Sequence, residues 1–281
     1  MKELLLLYWP TILAAIFTGA TLSVVGALLV TRQAAVQTLA VSQSAGLGVS
    51  LGLLVSQIFF PDGHLEHTAI PLVFGLAVSA AGFASTEWIA RHSHTQTVVY
   101  LAAFALFWGA SQLLTGFFPV IESHATALYF GDIVTLTKGE SLFFFALSGC
   151  LSVYLLLFWR GLSARAFLSA ILDEPLRLRS PLDLGFYVTS LALVCLSVQM
   201  LGLLFTLSCL FVPTAVYSFS ASVGVGPHLG RVALSAGVVS GSGFILSLAD
   251  SRFLTTPLIT VLLAIFPLVH LGLERLLFRC K

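Results

Sequence analysis

Apolar residues in this chain run in long blocks broken by short polar stretches, with no sustained two-residue alternation. The blocks cover residues 4–30, 43–60, 68–88, 98–118, 140–159, 184–200, 202–219, 232–249 and 255–274. A membrane-crossing helix needs roughly 20 mostly apolar residues, so the pattern predicts an all-α, polytopic transmembrane bundle in a single domain, 1–281. The stretch 184–219 reads in two ways. As one long helix it gives eight spans. As a tight hairpin turning near Gln199–Gly202 it gives nine. The first block, Leu4–Val30, is too long for a signal-peptide core and has no cleavage signature, so it reads as an uncleaved first span.

Charge decides between eight and nine. With nine spans, Arg32, Arg91, Arg160, Arg165, Arg177, Arg179, Arg231, Arg275, Arg279 and Lys281 all fall on one side, and Lys2, Lys138 and Arg252 fall opposite. Lys and Arg are retained on the side that is not translocated. The basic side is therefore the expected cytoplasmic face, with the N-terminus outside and the C-terminus inside. Eight spans would split the arginines between the two faces. Composition agrees with the membrane reading: 58% of residues are hydrophobic and 9% are charged, against about a quarter charged in soluble domains. Cys150, Cys195, Cys209 and Cys280 show no CxxC or metal-ligand spacing and read as small space-filling residues.

The longest segment on the basic side is 160–183. It joins an amphipathic run, LSARAFLSAIL, to Asp173–Glu174 and to Arg177 and Arg179 around prolines. This is the surface on which a soluble partner would act, and Arg165, Asp173, Glu174, Arg177 and Arg179 are its candidate contacts. A merely solvated face is the alternative. On the other side, Ala125–Ile133 is too short to cross and suits a re-entrant or surface helix. Gly48–Gly52 and Gly237–Gly241 are small-xxx-small pairs, which bring helix backbones together. Lining of a translocation route is the second reading of those glycines.

No charged residue lies near the centre of a predicted span. Proton-coupled transporters ordinarily keep such groups. No GxxxxGK[ST] run exists to bind ATP. A polytopic chain without its own energy source conducts passively, performs membrane chemistry, or takes energy from a partner.

Several short elements then occur in a telling order. Gly26 and Leu28-Leu29-Val30-Thr31-Arg32 precede Ser42-Gln43-Ser44-Ala45 and Gly48-Val49. Tyr129-Phe130-Gly131-Asp132-Ile133 follows, and then Gln199, Gly202 and Val212-Pro213-Thr214-Ala215. In order and spacing the chain resembles the membrane permeases of ATP-binding-cassette importers for zinc, manganese and iron, over nearly its whole length. The resemblance implies a type II importer-like permease and no catalysis by this chain. It implies a cytoplasmic ATPase docked at 160–183, an extracytoplasmic metal-binding protein, and a second permease copy or paralogue. It places the protein in a bacterial inner membrane, with no cofactor of its own and a divalent metal as cargo. The chain departs from the family pattern in places. Leu39 and Gln43 stand where the family has Asp and His, Leu176 or Leu178 where a glycine is expected in the coupling segment, and His94 where Asp is frequent. A carboxamide is a weaker zinc ligand than imidazole and suits harder ions.

Candidate sites follow. Ser42, Gln43 and Ser44 are polar residues in an apolar setting, read either as pathway lining or as interhelical hydrogen-bonding groups. Gln199 reads as a turn residue that satisfies loosened backbone beside the pathway. His64 and His67, among Asp62 and Glu66, could capture a metal at the outer face, or form a plain polar turn. His124, beside Glu122, is a third tentative metal residue, with a surface position unrelated to transport as its alternative. His92 and His94 read as a basic turn or an exit pair, and His228 and His270 as interface residues. Two rivals stand apart. One is a passive channel, an exporter or a transport-defective homologue. The other is an intramembrane hydrolase using Ser240 or Ser242 with His228, which needs serine and base at one depth.

Overall fold

The computed structural model describes residues 2–60, 66–93, 95–118, 129, 131, 138–172, 180–219, 224–249 and 253–279. Among these residues there are nine helices and no strand. They are α1 (Lys2–Thr31), α2 (Ala35–Phe59), α3 (Glu66–Arg91), α4 (Gln96–Phe117), α5 (Lys138–Leu172), α6 (Pro181–Leu201), α7 (Leu203–Tyr217), α8 (Val225–Ala249) and α9 (Thr255–Arg279). Eight are long and apolar enough to cross a membrane. The exception is α7, whose 15 residues rise about 22 Å, less than the ~30 Å hydrocarbon core.

The contacts give each helix a direction. Thr11 meets Ser141 at 2.9 Å and Thr21 meets Ser152, so α1 and α5 run parallel. Arg32, at the far end of α1, meets Asp183 at the start of α6, so α6 runs back the other way. Ser208 of α7 lies 2.9 Å from Thr260, and Tyr217 packs on His270, so α7 runs parallel to α9. Tyr217 also clusters with Val232, whose carbonyl accepts from Ser23 of α1. Tyr217 is therefore back at the end from which α6 departed. The hairpin is real, and the start of α1 and the end of α9 lie at opposite ends of the bundle.

The reversal is made at one residue. Gly202 has φ 89° and ψ 157°, a region that is essentially restricted to glycine. Nearby, Gly131 packs so closely on this turn that a Cβ there would lie 2.0 Å from the Leu201 carbonyl oxygen.

The inner helices are α1, α2, α6 and α8. Of the α2 crossing window 67% is buried, against 11% for α4. Exposed Leu101, Leu106, Trp108, Leu113 and Phe117 on α4 face outward. Small residues set the inner crossings, as lipid supplies no hydrophobic drive between helices. A Cβ on Gly26 would lie 1.8 Å from the Leu210 carbonyl, and Gly48 and Gly52 sit against the α3 backbone at Phe74 and Pro71. Gly241 meets Ile16 of α1. The packing reading of both glycine pairs therefore stands.

One boundary differs from the sequence expectation. The segment from residue 160 begins as helix, because α5 continues unbroken to Leu172. Residues 162–174 contain neither glycine nor proline, so nothing in that stretch stops the helix where the apolar block ends. Its 35 residues span about 52 Å, longer than the hydrocarbon core.

Candidate transport pathway and coupling site

Charged side chains gather at one end of the bundle. Asp183 is fully buried and Arg32 nearly so, and their Oδ1 and Nη1 atoms are 3.0 Å apart. Arg165 of α5 donates to Asp183 Oδ2. Ser180 caps α6: its Oγ accepts from the Asp183 amide at 3.3 Å and donates to Asp183 Oδ2 at 3.0 Å. Pro181 opens the helix with its fixed φ. Arg32 also donates to the Leu162 carbonyl and lies 4.5 Å above the Phe186 ring. A single carboxylate thus joins the ends of α1, α5 and α6. Removing one partner of such a buried pair costs far more than an exposed pair would.

A second group lies beside it. Glu87 of α3 accepts from Gln37 of α2 at 3.1 Å and from Arg91 at 3.1 Å. Arg231 of α8 pairs with Glu274 of α9 at 2.9 Å. Arg32, Arg91, Arg165 and Arg231, assigned to one face from sequence, do lie at one end of the bundle.

The pathway candidates lie deeper in the bundle. Ser42 and Ser44 are fully buried and Gln43 is 4% exposed. Ser42 donates to the Leu39 carbonyl and Ser44 to the Val41 carbonyl. Ser44 also fills the notch at Gly82 of α3, which is a packing role. Gln199 is not brought to this trio. Val49 and Cys195 both pack on Gly75. Gln199 lies one turn outward from Cys195, and Gln43 six residues inward from Val49, so about 15 Å of helical rise separates the two amides. Gln199 instead sits just before the Gly202 turn, near where Gly131 docks on Leu201.

The other candidates divide. Arg165 is on Asp183, as given. His64, His124, Asp173, Glu174, Arg177 and Arg179 lie outside the described residues, as does His94. His67 is the second residue of α3, and its side chain is also outside them. His92 caps its own helix through Trp88 O at 2.8 Å. His270 contacts Tyr217. Among the described residues no group of three or more metal-ligating side chains exists. His228 lies in the first turn of α8. Twelve residues, about 18 Å, separate it from Ser240, whose Oγ neighbours Cys209 Sγ at 3.8 Å. No serine–base pair forms there.

Sequence reasoning missed Asp183 and Glu87. Asp183 carried a legible signal, since Ser180-Pro181-Leu182-Asp183 is a helix-start signature with an acid at its third residue. Glu87 carried none, because the end of a span is an ordinary place for a carboxylate.

The sequence profile of the ABC 3 transport family matches residues 6–273. The chain belongs to the ABC 3 transport family. It is a multi-pass membrane permease. Solved permeases share the fold of this family member. PsaBC from Streptococcus pneumoniae, in complex with Fab, aligns with a TM-score of 0.70 at 16% identity, covering 94% of this chain and 90% of that one. A transporter described as metal-chelate type, in an inward-facing conformation, aligns with a TM-score of 0.65 at 17% identity, covering 94% and 84%. No curated protein matches in sequence.

Proposed function

We propose that this chain is the membrane permease subunit of an ATP-binding-cassette importer for a divalent transition metal: zinc, manganese or iron. The observation that carries the proposal is the family match over 6–273, on a bundle that has the matching fold. The chain has no nucleotide-binding run of its own, so a cytoplasmic ATPase supplies the energy. It docks on the end of α5, at the basic end of the bundle, and on the segment 173–179 that follows it in sequence. That end faces the cytoplasm of a bacterial inner membrane, with the N-terminus outside. A second permease copy or paralogue covers part of the apolar surface, and an extracytoplasmic binding protein delivers the metal to the opposite end.

Movement of the docked segment reaches the bundle through Asp183. This residue ties Arg165 of α5, at the segment's entry, to Arg32 of α1. Gly26, six residues before Arg32, lies directly on α7. A push at the segment is thereby passed to the α6–α7 hairpin, and the pathway alternates between its two faces. Ser42, Gln43, Ser44 and Gln199 are its proposed polar lining, and His64, His67 and His124 the proposed residues for metal at the outer mouth.

The test is accumulation of zinc, manganese and iron in cells with and without this subunit, supplied at limiting concentration. Loss of uptake of one ion on deletion is the expected result. Equal uptake of all three in both strains overturns the reading. A second reading takes the cargo as a metal chelate. It is favoured by the carboxamide of Gln43 where the family resemblance expects imidazole, and by the likeness to the metal-chelate type transporter. Parallel uptake of free and chelated metal separates the two.

A further inference from the structure

A cavity of about 30 Å³ lies at the junction of α1, α2, α3 and α6, close to the basic end. Its walls are mostly apolar: Leu29, Val41, Phe83, Leu191 and Val194. Four polar side chains also line it, Gln37, Thr38, Tyr187 and Ser190, and the Thr38 hydroxyl already donates to the Ala34 carbonyl. Gln37 is 1% exposed and Ser190 5%. Among the described residues, Gln37 Oε1 and Ser190 Oγ are both buried and have no hydrogen-bond partner.

The orientation of the Gln37 amide is fixed by chemistry. Its Nε2 donates to Glu87 Oε2 at 3.1 Å, and an ionised carboxylate only accepts. A flipped amide would set oxygen against oxygen. Oε1 is therefore held away from Glu87, as an acceptor that needs a donor. An unmet buried acceptor costs roughly 1–3 kcal/mol, and two such groups share this one cavity. A water needs about 10–15 Å³ of such space and at least two polar partners. The cavity meets both conditions.

We infer that the cavity is a water site. One or two waters donate to Gln37 Oε1 and bridge it to Ser190 Oγ, tying α2 to α6 and, through Glu87, to α3. A divalent cation is a poor occupant. The few neutral side-chain oxygens of this lining cannot replace the six or more oxygen ligands that such an ion requires.

Three measurements on the full chain in lipid nanodiscs test this. First, a high-resolution map of the wild type should carry density within hydrogen-bond reach of both oxygens, unchanged by added manganese. An empty cavity, or density that grows with manganese, overturns the proposal. Second, Ser190→Val fills the space with carbon and expels the water. A wet site predicts a lower Tm, since Gln37 Oε1 is then stranded, whereas a dry cavity predicts a higher one. Third, Gln37→Met and Ser190→Ala are combined. If water links them, the double variant loses clearly less Tm than the two single losses added together. Strict additivity overturns the bridge. If Gln37→Met fails to fold, the map and Ser190→Val still decide.

Discussion

The basic end of the bundle and its middle are held together by different physics. At the basic end α1, α5 and α6 meet on the Asp183 carboxylate, α2 and α3 meet on Glu87, and α8 and α9 meet through Arg231 and Glu274. In the middle, contacts are made by Gly26, Gly48, Gly75 and Gly82 against backbone or short side chains, with a few neutral hydroxyl pairs between helices, Thr11 with Ser141, Thr21 with Ser152 and Ser208 with Thr260. A buried ion pair tolerates no missing partner. Small-residue packing is non-directional and lets surfaces slide until a Cβ intervenes. A permease driven from one end needs a stiff grip there and re-pairable surfaces further in, and the two regions are built in that way.

The largest expected effect breaks the grip. Asp183→Ala leaves Arg32 buried without its carboxylate and should cost about 3–5 kcal/mol, measured as loss of folded protein in detergent or as a lowered unfolding midpoint. Arg165→Ala should cost less, because Asp183 keeps Arg32 and the Arg165 side chain is 36% exposed. If the two variants are equally destabilised, Arg32 does not hold Asp183 as described. Next comes the hairpin. Gly202→Ala puts a Cβ on a backbone at φ 89° and should cost about 1–3 kcal/mol. Gly26→Val should cost a similar 1–3 kcal/mol through overpacking against Leu210, read as a lower Tm. A neutral result at Gly26 would show that α1 and α7 separate easily. Smaller again is Arg231→Ala, at about 0.2–1 kcal/mol, since both partners are partly exposed. The smallest stability change is expected for Gln43→His. Its expected effect is a shifted ion preference in uptake competition among zinc, manganese and iron, and an unchanged preference removes Gln43 from the pathway.

Much of this was readable before the fold. Block lengths predicted the helices, and the arginine asymmetry chose a hairpin at Gln199–Gly202 that the contacts bear out. The site was less legible. Ser42 and Ser44 stood out by polarity, yet polarity does not distinguish a pathway from a back-bonded serine packed under Gly82. Gln199 reads from sequence as a turn residue on the same pathway as Gln43, although depth along the bundle separates them. The helix-forming run in 160–183 was legible as an amphipathic pattern, whereas its continuity with the span before it was not, because hydropathy ends where the membrane ends and helix propensity does not.

Sequence alone determined that the chain is a helical membrane protein with one strongly basic face. Hydrophobic length and the distribution of Lys and Arg are properties of single segments, and each segment answers to the bilayer by itself. Tertiary structure decided that Arg32 meets Asp183, that Gln37 meets Glu87, and that Gln37 and Ser190 share one small cavity. These pairings join residues up to 153 positions apart in the sequence, and their geometry exists only once the helices have been set side by side.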